Sequence, residues 1–319
     1  MSISQFSVKR NIKAGSLSKV VFAVREHDNQ SFILKIVPKT LLHDSNSLPF
    51  RIGERSFPFP SEALILEKLK HLDCCVKLLH VIDDNDSNAW VLVLEDLTHE
   101  GYVNLAEELG LRKSFDEATV SWIILGLIKC ISDIHSLGIL HCDIKPDNIF
   151  INHATKSVKI IDFNVAIDLR NSDPKTLKLP YCTPDYAPPE ILIHRNPWST
   201  SSEVWSVGCT AFVLLCGKFP FSNPWDSLHV NPSYPLSTSQ DCDSVISYAP
   251  NQSGHGDVVI SNKALDFLHI TLCRSVQHRP CLDKLAQHAF LKLGASKSKS
   301  NSRSLFLPYS SSAINFVKA

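Results

Sequence analysis

The chain has 319 residues, a length that suggests roughly two domains, and its 32 basic side chains are matched by 32 acidic ones. That balance excludes a global field favouring nucleic acid or an anionic membrane. The ten cysteines are scattered, with Cys74 and Cys75 vicinal and no C-x-x-C pair. This spacing argues against a zinc site and fits the reduced, buried thiols of an intracellular protein. Lys9, Arg10 and Lys13 interrupt the N-terminus before an apolar run develops, so no secretory signal is visible. The longest uncharged apolar stretch, 204–217, is too short to span a bilayer and has the length of a buried core helix. A soluble protein, cytoplasmic and/or nuclear, is expected.

Runs rich in β-formers at 20–24 and 31–37 predict two strands joined by the polar turn 26–30. Residues 38–60 read as a polar, Pro-containing insertion, after which Ser61 offers an N-cap to a helix over 62–69. Two more strands are expected around 76–81 and 90–94, separated by the acidic turn 83–88. The character changes after 95–97. A long amphipathic helix is predicted over 115–137, ended by Gly138, followed by a polar loop and a hydrophobic hairpin. After a loop over 165–189 the pattern is mainly helical, at 203–216, 262–273 and 282–291. Residues 222–256 lack periodicity and read as an irregular insertion, and the Ser/Lys-rich tail 293–319 reads as disordered.

The densest chemistry lies in His141-Cys142-Asp143-Ile144-Lys145-Pro146-Asp147-Asn148, followed by Asp162-Phe163-Asn164. These strings set two acids and an amide at the spacing a metal–triphosphate site needs. Asp143 can accept a proton from an attacking hydroxyl, while Asn148 and Asp162 can hold Mg²⁺. They resemble the catalytic loop and magnesium-binding segment of eukaryotic protein kinases of the Ser/Thr type, usually H-R-D-x-K-x-x-N and D-F-G. The resemblance extends over about residues 6–291. It implies an α+β, bilobal protein-kinase fold: a small antiparallel β lobe with one main helix and the hinge (1–97), then a larger, mainly helical lobe (98–292). It also implies ATP and Mg²⁺ as cofactors and a protein Ser/Thr hydroxyl as acceptor, with no nucleic-acid partner and no membrane insertion.

The resemblance assigns roles residue by residue. Lys35 looks like the strand lysine that contacts the α- and β-phosphates, and Glu62 like its ion-pair partner. Gly15 is the one glycine kept in 13–20, where the family has G-x-G-x-x-G-x-V. Val20, Ile33 and Phe150 would sandwich adenine, Ile33 replacing the usual Ala. Leu94 would be the gatekeeper, and the backbones of Glu95 and Leu97 would bond the adenine edge. Lys145 would neutralise the transferring γ-phosphate, and Thr183 is expected to touch Asp143 and Lys145. Residues 183–190 resemble the substrate-docking loop, with Glu190 paired to Arg279. Leu66, Leu78, His141 and Phe163 match the internal hydrophobic spine.

Several positions depart from the family pattern. Glu203 stands where an Asp normally holds the catalytic-loop backbone, one methylene longer. Asn164 replaces a glycine, and Asn tolerates the positive φ expected there. Cys142 replaces the arginine that pairs with an activation-loop phosphate, so phosphorylation at Ser172 or Thr176 has no evident cationic pocket and the enzyme is expected not to need it. A pseudokinase acting as a binding module is the rival reading, supported by the altered glycine loop, Ile33, Glu203 and Asn164. Retention of all five polar catalytic residues opposes it. The docking loop opposes a third reading, a small-molecule kinase. Glu100, Glu107, Glu108 and Asp147 suggest a preference for basic residues before the acceptor. The insertion before Glu62 and the string Pro188-Pro189-Glu190 suggest the Pim branch near the calmodulin-dependent kinases.

Overall fold

The computed structural model describes residues 2–15, 17–42, 47–52, 55–170, 182–237, 258–293 and 317–318, which fall into two compact units. The first comprises Met1–Tyr102 and Ile161–Asn164 with the C-terminal pair Val317–Lys318, and the second Val103–Ile160 and Val165–Lys297. This is the bilobal protein-kinase architecture.

In the first unit β1 (Phe6–Ala14), β2 (Lys19–Arg25) and β3 (Ser31–Pro38) form a meander. A separate hairpin, β4 (Ser47–Ile52) and β5 (Arg55–Pro60), leads directly into α1 (Ser61–Lys68). Then β6 (Leu78–Asp84) and β7 (Ala89–Glu95) complete an antiparallel sheet of order β1-β2-β3-β7-β6, with Val317–Lys318 adding a short parallel strand beside β6. Side chains alternate across the pleat. Val21, Ala23, Phe32, Leu34, Val91 and Val93 therefore share one face and close a core with Phe6 and Ile82. The register Val20–Lys35–Leu92 and Phe22–Ile33–Leu94 puts those six residues together on the other face.

Three expectations need correction here. Strand β1 escaped the sequence pattern because it is an edge strand, exposed beyond Phe6 and Ser7 and bulged between Val8 and Arg10 and between Asn11 and Lys13. Such a strand carries Lys and Arg in place of an alternating apolar row. The insertion 38–60 contains the regular hairpin β4–β5. Ser61 is not an N-cap: it is the first helical residue of α1, and Pro60 occupies the cap position without a side-chain bond. The chain passes from strand to helix with no loop, so the turn is made by Pro60 itself (φ −56°, ψ 120°).

The second unit starts with β8 (Val103–Asn104) and α2 (Leu105–Arg112), the latter capped by the Asn104 side chain. Next come α3 (Glu117–Ser136), β9 (Ile139–Leu140), β10 (Ile149–Asn152), β11 (Ser157–Ile160) and β12 (Ile167–Asp168). The rest holds α4 (Pro189–Leu192), α5 (Thr200–Cys216), β13 (Leu236–Ser237), β14 (Val259–Ile260), α6 (Asn262–Thr271) and α7 (Leu282–Leu285). By length and composition α3 could cross a membrane, but it buries Val120, Ile123, Ile124, Leu127, Ile131 and Ile134 inside this unit, packed on α5 and β11. Gly138, at φ +79°, ends it as expected.

The apolar stretch 204–217 does form a core helix, since α5 is buried from Ser202 to Cys216. Gly208 lets α6 approach: a Cβ there would lie 2.5 Å from Thr271 Oγ1. The last helix is shorter than expected. It ends at Leu285, and Phe290 and Leu291 are buried by turns instead. Part of the supposed irregular insertion is ordered, as a 3-10 turn Pro224–Leu228 capped by Asn223 and the strand β13 paired with β14. Residues 238–257, Ser172, Thr176 and most of the tail lie outside the described residues.

Candidate active site

The first unit holds a buried charge cluster on the Lys35 face of its sheet. Lys35 Nζ donates to Glu62 Oε1 at 2.9 Å and to Asp162 Oδ1 at 2.6 Å. Glu62 Oε2 lies closer to the ammonium, at 2.7 Å, but off the hydrogen-bonding direction, so that contact is charge attraction alone. Burial works to push Lys35 down, and the two carboxylates outweigh it, so the ammonium is held above its usual range. Burial pushes Glu62 up, against the pull of Lys35. Glu62 reaches this position because it is the second residue of α1, whose buried face is Glu62, Ala63, Ile65 and Leu66.

Asp162 takes a left-handed backbone, φ +63°, which turns its carboxylate to Lys35. This corrects the expectation for Asn164. The positive φ of the segment falls on Asp162 and not on Asn164, so replacing glycine by Asn costs no backbone strain at that position.

Around Lys35 the sheet face carries the residues expected to meet adenine. Val20 and Ile33 are half-buried and Leu94 is buried. Sequence reasoning missed Phe22, the half-buried cross-strand partner of Ile33, although its place two residues after Val20 is the available signal. Gly15 donates its N–H to Ser18 O at 2.9 Å in the β1–β2 turn, and a Cβ there would meet that oxygen at an ordinary 3.5 Å.

The hinge is tied by an unforeseen residue. Asp96 accepts from Ser31 Oγ (2.7 Å), Thr98 N–H (3.0 Å) and Thr98 Oγ1 (2.6 Å). Glu95 accepts the Lys77 N–H at 2.9 Å, and its own N–H donates to Lys77 O at 3.1 Å. The Leu97 carbonyl accepts from Tyr102 N–H at 3.1 Å.

The second unit gathers the catalytic-loop residues. Asp143 Oδ1 accepts from Thr183 Oγ1 (2.7 Å) and Thr183 N–H (3.1 Å). Its Oδ2 accepts from Asn148 Nδ2 at 3.0 Å and lies 2.7 Å from Lys145 Nζ. Lys145 also donates to Thr183 Oγ1, so the expected contact of Thr183 with both residues is present. Asn148 Nδ2 donates a second bond to the Asp143 carbonyl at 2.9 Å, leaving Oδ1 as the amide atom able to face a cation. A carboxylate on Asp162 and an amide oxygen on Asn148 are the hard donors that Mg²⁺ takes. Phe150 sits half-buried on β10, between Lys159 of β11 and Asn104 of β8.

The loop carrying Asp143 is anchored from beneath. Glu203, fully buried on α5, accepts the Cys142 N–H at 2.7 Å through Oε1 and meets His135 Nε2 at 2.5 Å through Oε2. The longer side chain therefore reaches the loop, its second oxygen turned to α3. Burial acts to raise the Glu203 carboxyl, but the bond from His135 leads the effects that hold it below its usual range. Cys142 itself, at φ +65°, is fully buried in an apolar cluster with Leu140, Ile167, Ile191 and Trp198, with Val165 and Cys182 packed on it. Burial pushes its thiol well up, and that of Cys182 up to about 11, so both stay protonated at neutral pH.

Arg279 makes the expected pair with Glu190, two parallel bonds of 2.6 and 2.8 Å, with its guanidinium 5.1 Å from the Trp205 ring centre. The acidic residues suggested for substrate recognition divide. Glu108 is engaged by Arg112 (2.5 Å) and by His153 (2.8 Å). Glu107 and Asp147 are exposed.

Comparison with known proteins agrees with this geometry. The protein kinase domain family matches residues 6–291. Human serine/threonine-protein kinase H1 is 27% identical over 222 residues, covering 69% of this chain and 48% of the relative. Zebrafish (Danio rerio) serine/threonine-protein kinase pim-2 is 25% identical over 248 residues, 76% of this chain and 77% of the relative. A probable casein kinase II subunit alpha homolog of Encephalitozoon cuniculi (strain GB-M1) is 31% identical over 160 residues, 50% and 47%. The chain thus spans about half the length of kinase H1. With the family match extending over most of the sequence, the chain belongs to the protein kinase family.

Proposed function

We propose that the protein transfers the γ-phosphate of ATP to Ser or Thr hydroxyls of protein substrates. The observation that carries this reading is the bonding of Asp143. Its carboxylate is oriented by Lys145, Asn148 and Thr183, which supports a role in receiving the proton of an acceptor hydroxyl. Lys145 would neutralise charge on the transferred group, and Lys35, bonded to Glu62, would bind the α- and β-phosphates. Mg²⁺ would supply charge neutralisation on the phosphates, with Asn148 and Asp162 each contributing an oxygen. A binding module has no need to keep Lys35, Asp143, Lys145, Asn148 and Asp162 together in one sequence. Lys145 followed by Pro146 and the names of the relatives favour Ser/Thr over Tyr as acceptor.

The reading includes independence from activation-loop phosphorylation. Cys142 lies in an apolar cluster, which offers a phosphate no cationic partner. The test is Mg²⁺-dependent transfer of labelled phosphate to a mixed peptide library, followed by phosphoamino-acid analysis. Phosphoserine and phosphothreonine are expected. Absence of transfer from folded protein would return the reading to a pseudokinase.

A further inference from the structure

The hairpin β4–β5 runs directly into α1 and ends against β7. Phe59, 1% exposed, packs edge-on against Trp90 of β7, with ring centres 4.9 Å apart at 72°. The Trp90 Nε1–H donates to the Pro58 carbonyl at 3.0 Å. On the β3 side the Lys39 ammonium sits 5.1 Å from the centre of the same indole and pairs with Asp83, the cross-strand neighbour of Trp90. Trp90 is therefore held by three elements of the first unit. Only Pro60 and Ser61 separate Phe59 from Glu62, so the two side chains are linked by about 10 Å of chain at most. One of those residues is a proline of fixed φ, and no loop intervenes.

We propose that Phe59 and Trp90 form a latch within the chain that sets α1 in position for the Lys35–Glu62 pair, making both positioning residues for phosphoryl transfer. The proposal deepens the kinase reading and rests on it for its kinetic arm. Where α1 is held only by its own buried face, a slide of one or two ångströms suffices to break a 2.9 Å bond. Here the first turn, which lacks a side-chain cap, is tethered instead through an aromatic contact and a hydrogen bond on its N-terminal side. The latch needs no second protein and no phosphate, in keeping with the apolar surroundings of Cys142.

The test uses the full chain with Phe59→Ala, Trp90→Phe, Phe59→Leu and, as a control, Val93→Ala in the core on the opposite sheet face. Amide hydrogen exchange of residues 61–68 is read beside kcat and the KM for ATP. For Phe59→Ala, exchange in α1 is expected to rise about 10-fold relative to β6 and β7, with kcat falling about as much and KM changing less. Phe59→Leu should recover most of both. Trp90→Phe, which removes only the indole donor, should speed α1 exchange about 5-fold and decides the matter if Phe59→Ala does not fold. Val93→Ala should lower the melting temperature without singling out α1. An unchanged α1 in Trp90→Phe and Phe59→Ala, or a rise shared by every strand as in a global loosening, would overturn the latch. If the unmodified chain transfers no phosphate, the kinase reading fails, while the exchange data still decide whether the latch holds α1.

Discussion

Glu203 is the residue whose environment makes the sharpest statement about pH. Its carboxyl is held below the ordinary value of 4.5, by the bond from His135 first and by the Cys142 N–H. A depressed carboxyl adds stability that is fully present above its unfolded pKa and is lost as pH falls through the folded one. Stability of the native chain against urea should therefore fall as pH drops below about 4.5, and Glu203→Gln should flatten that part of the profile. A variant with the native acid slope would assign the loss to other carboxylates. Asn164 gives a second residue-scale outcome. Because its φ is not positive, Asn164→Gly should relieve nothing and cost about 0.5–1 kcal/mol through added freedom of the unfolded chain, measured by the same method. At this scale the sequence was legible where motifs imply a contact, as for Thr183 with Asp143 and Lys145. It misled at Asn164, because a string does not say which of its members takes the left-handed backbone.

Elements are positioned by contacts between residues distant in sequence, and here legibility fell. The α5 helix was evident from an unbroken apolar run, and Glu190–Arg279 from motifs 89 residues apart. The hairpin β4–β5 and strand β1 were not evident, since one is Pro-interrupted and the other lies at a sheet edge, where apolar alternation has no core to serve. Nor could spacing reveal that Phe59 meets Trp90 or that Asp96 ties Ser31 to Thr98. Two changes probe how elements are joined. Arg279→Ala leaves Glu190 buried without its partner and should cost about 3–5 kcal/mol in urea unfolding. Gly208→Ala forces a methyl against Thr271 on α6 and should cost about 1–3 kcal/mol, with a loss under 0.5 kcal/mol meaning that α6 gives way freely.

For the molecule as a whole, two fixed constellations stand on two units: Lys35–Glu62–Asp162 in the first, Asp143–Lys145–Asn148–Thr183 in the second. The proposed independence from an activation-loop phosphate rests on Cys142, which lies in an apolar cluster where the family has a cation. Ser172→Ala and Thr176→Ala are each expected to retain activity within about 2-fold. A larger loss accompanied by removal of a detected phosphate would contradict that. Thr183→Ala is a different case. It removes a donor to Asp143 and should lower kcat whatever the phosphorylation state.

The most direct measurement compares the unmodified chain with Asp143→Asn in transfer of labelled γ-phosphate to peptides, with melting temperature and nucleotide binding followed on both. The amide keeps the size of the side chain but cannot take the acceptor's proton. Transfer should fall by about 10²–10⁴-fold while the fold and ATP binding persist. Equal transfer by the two proteins would contradict the role given to Asp143, and with it the assignment of the site.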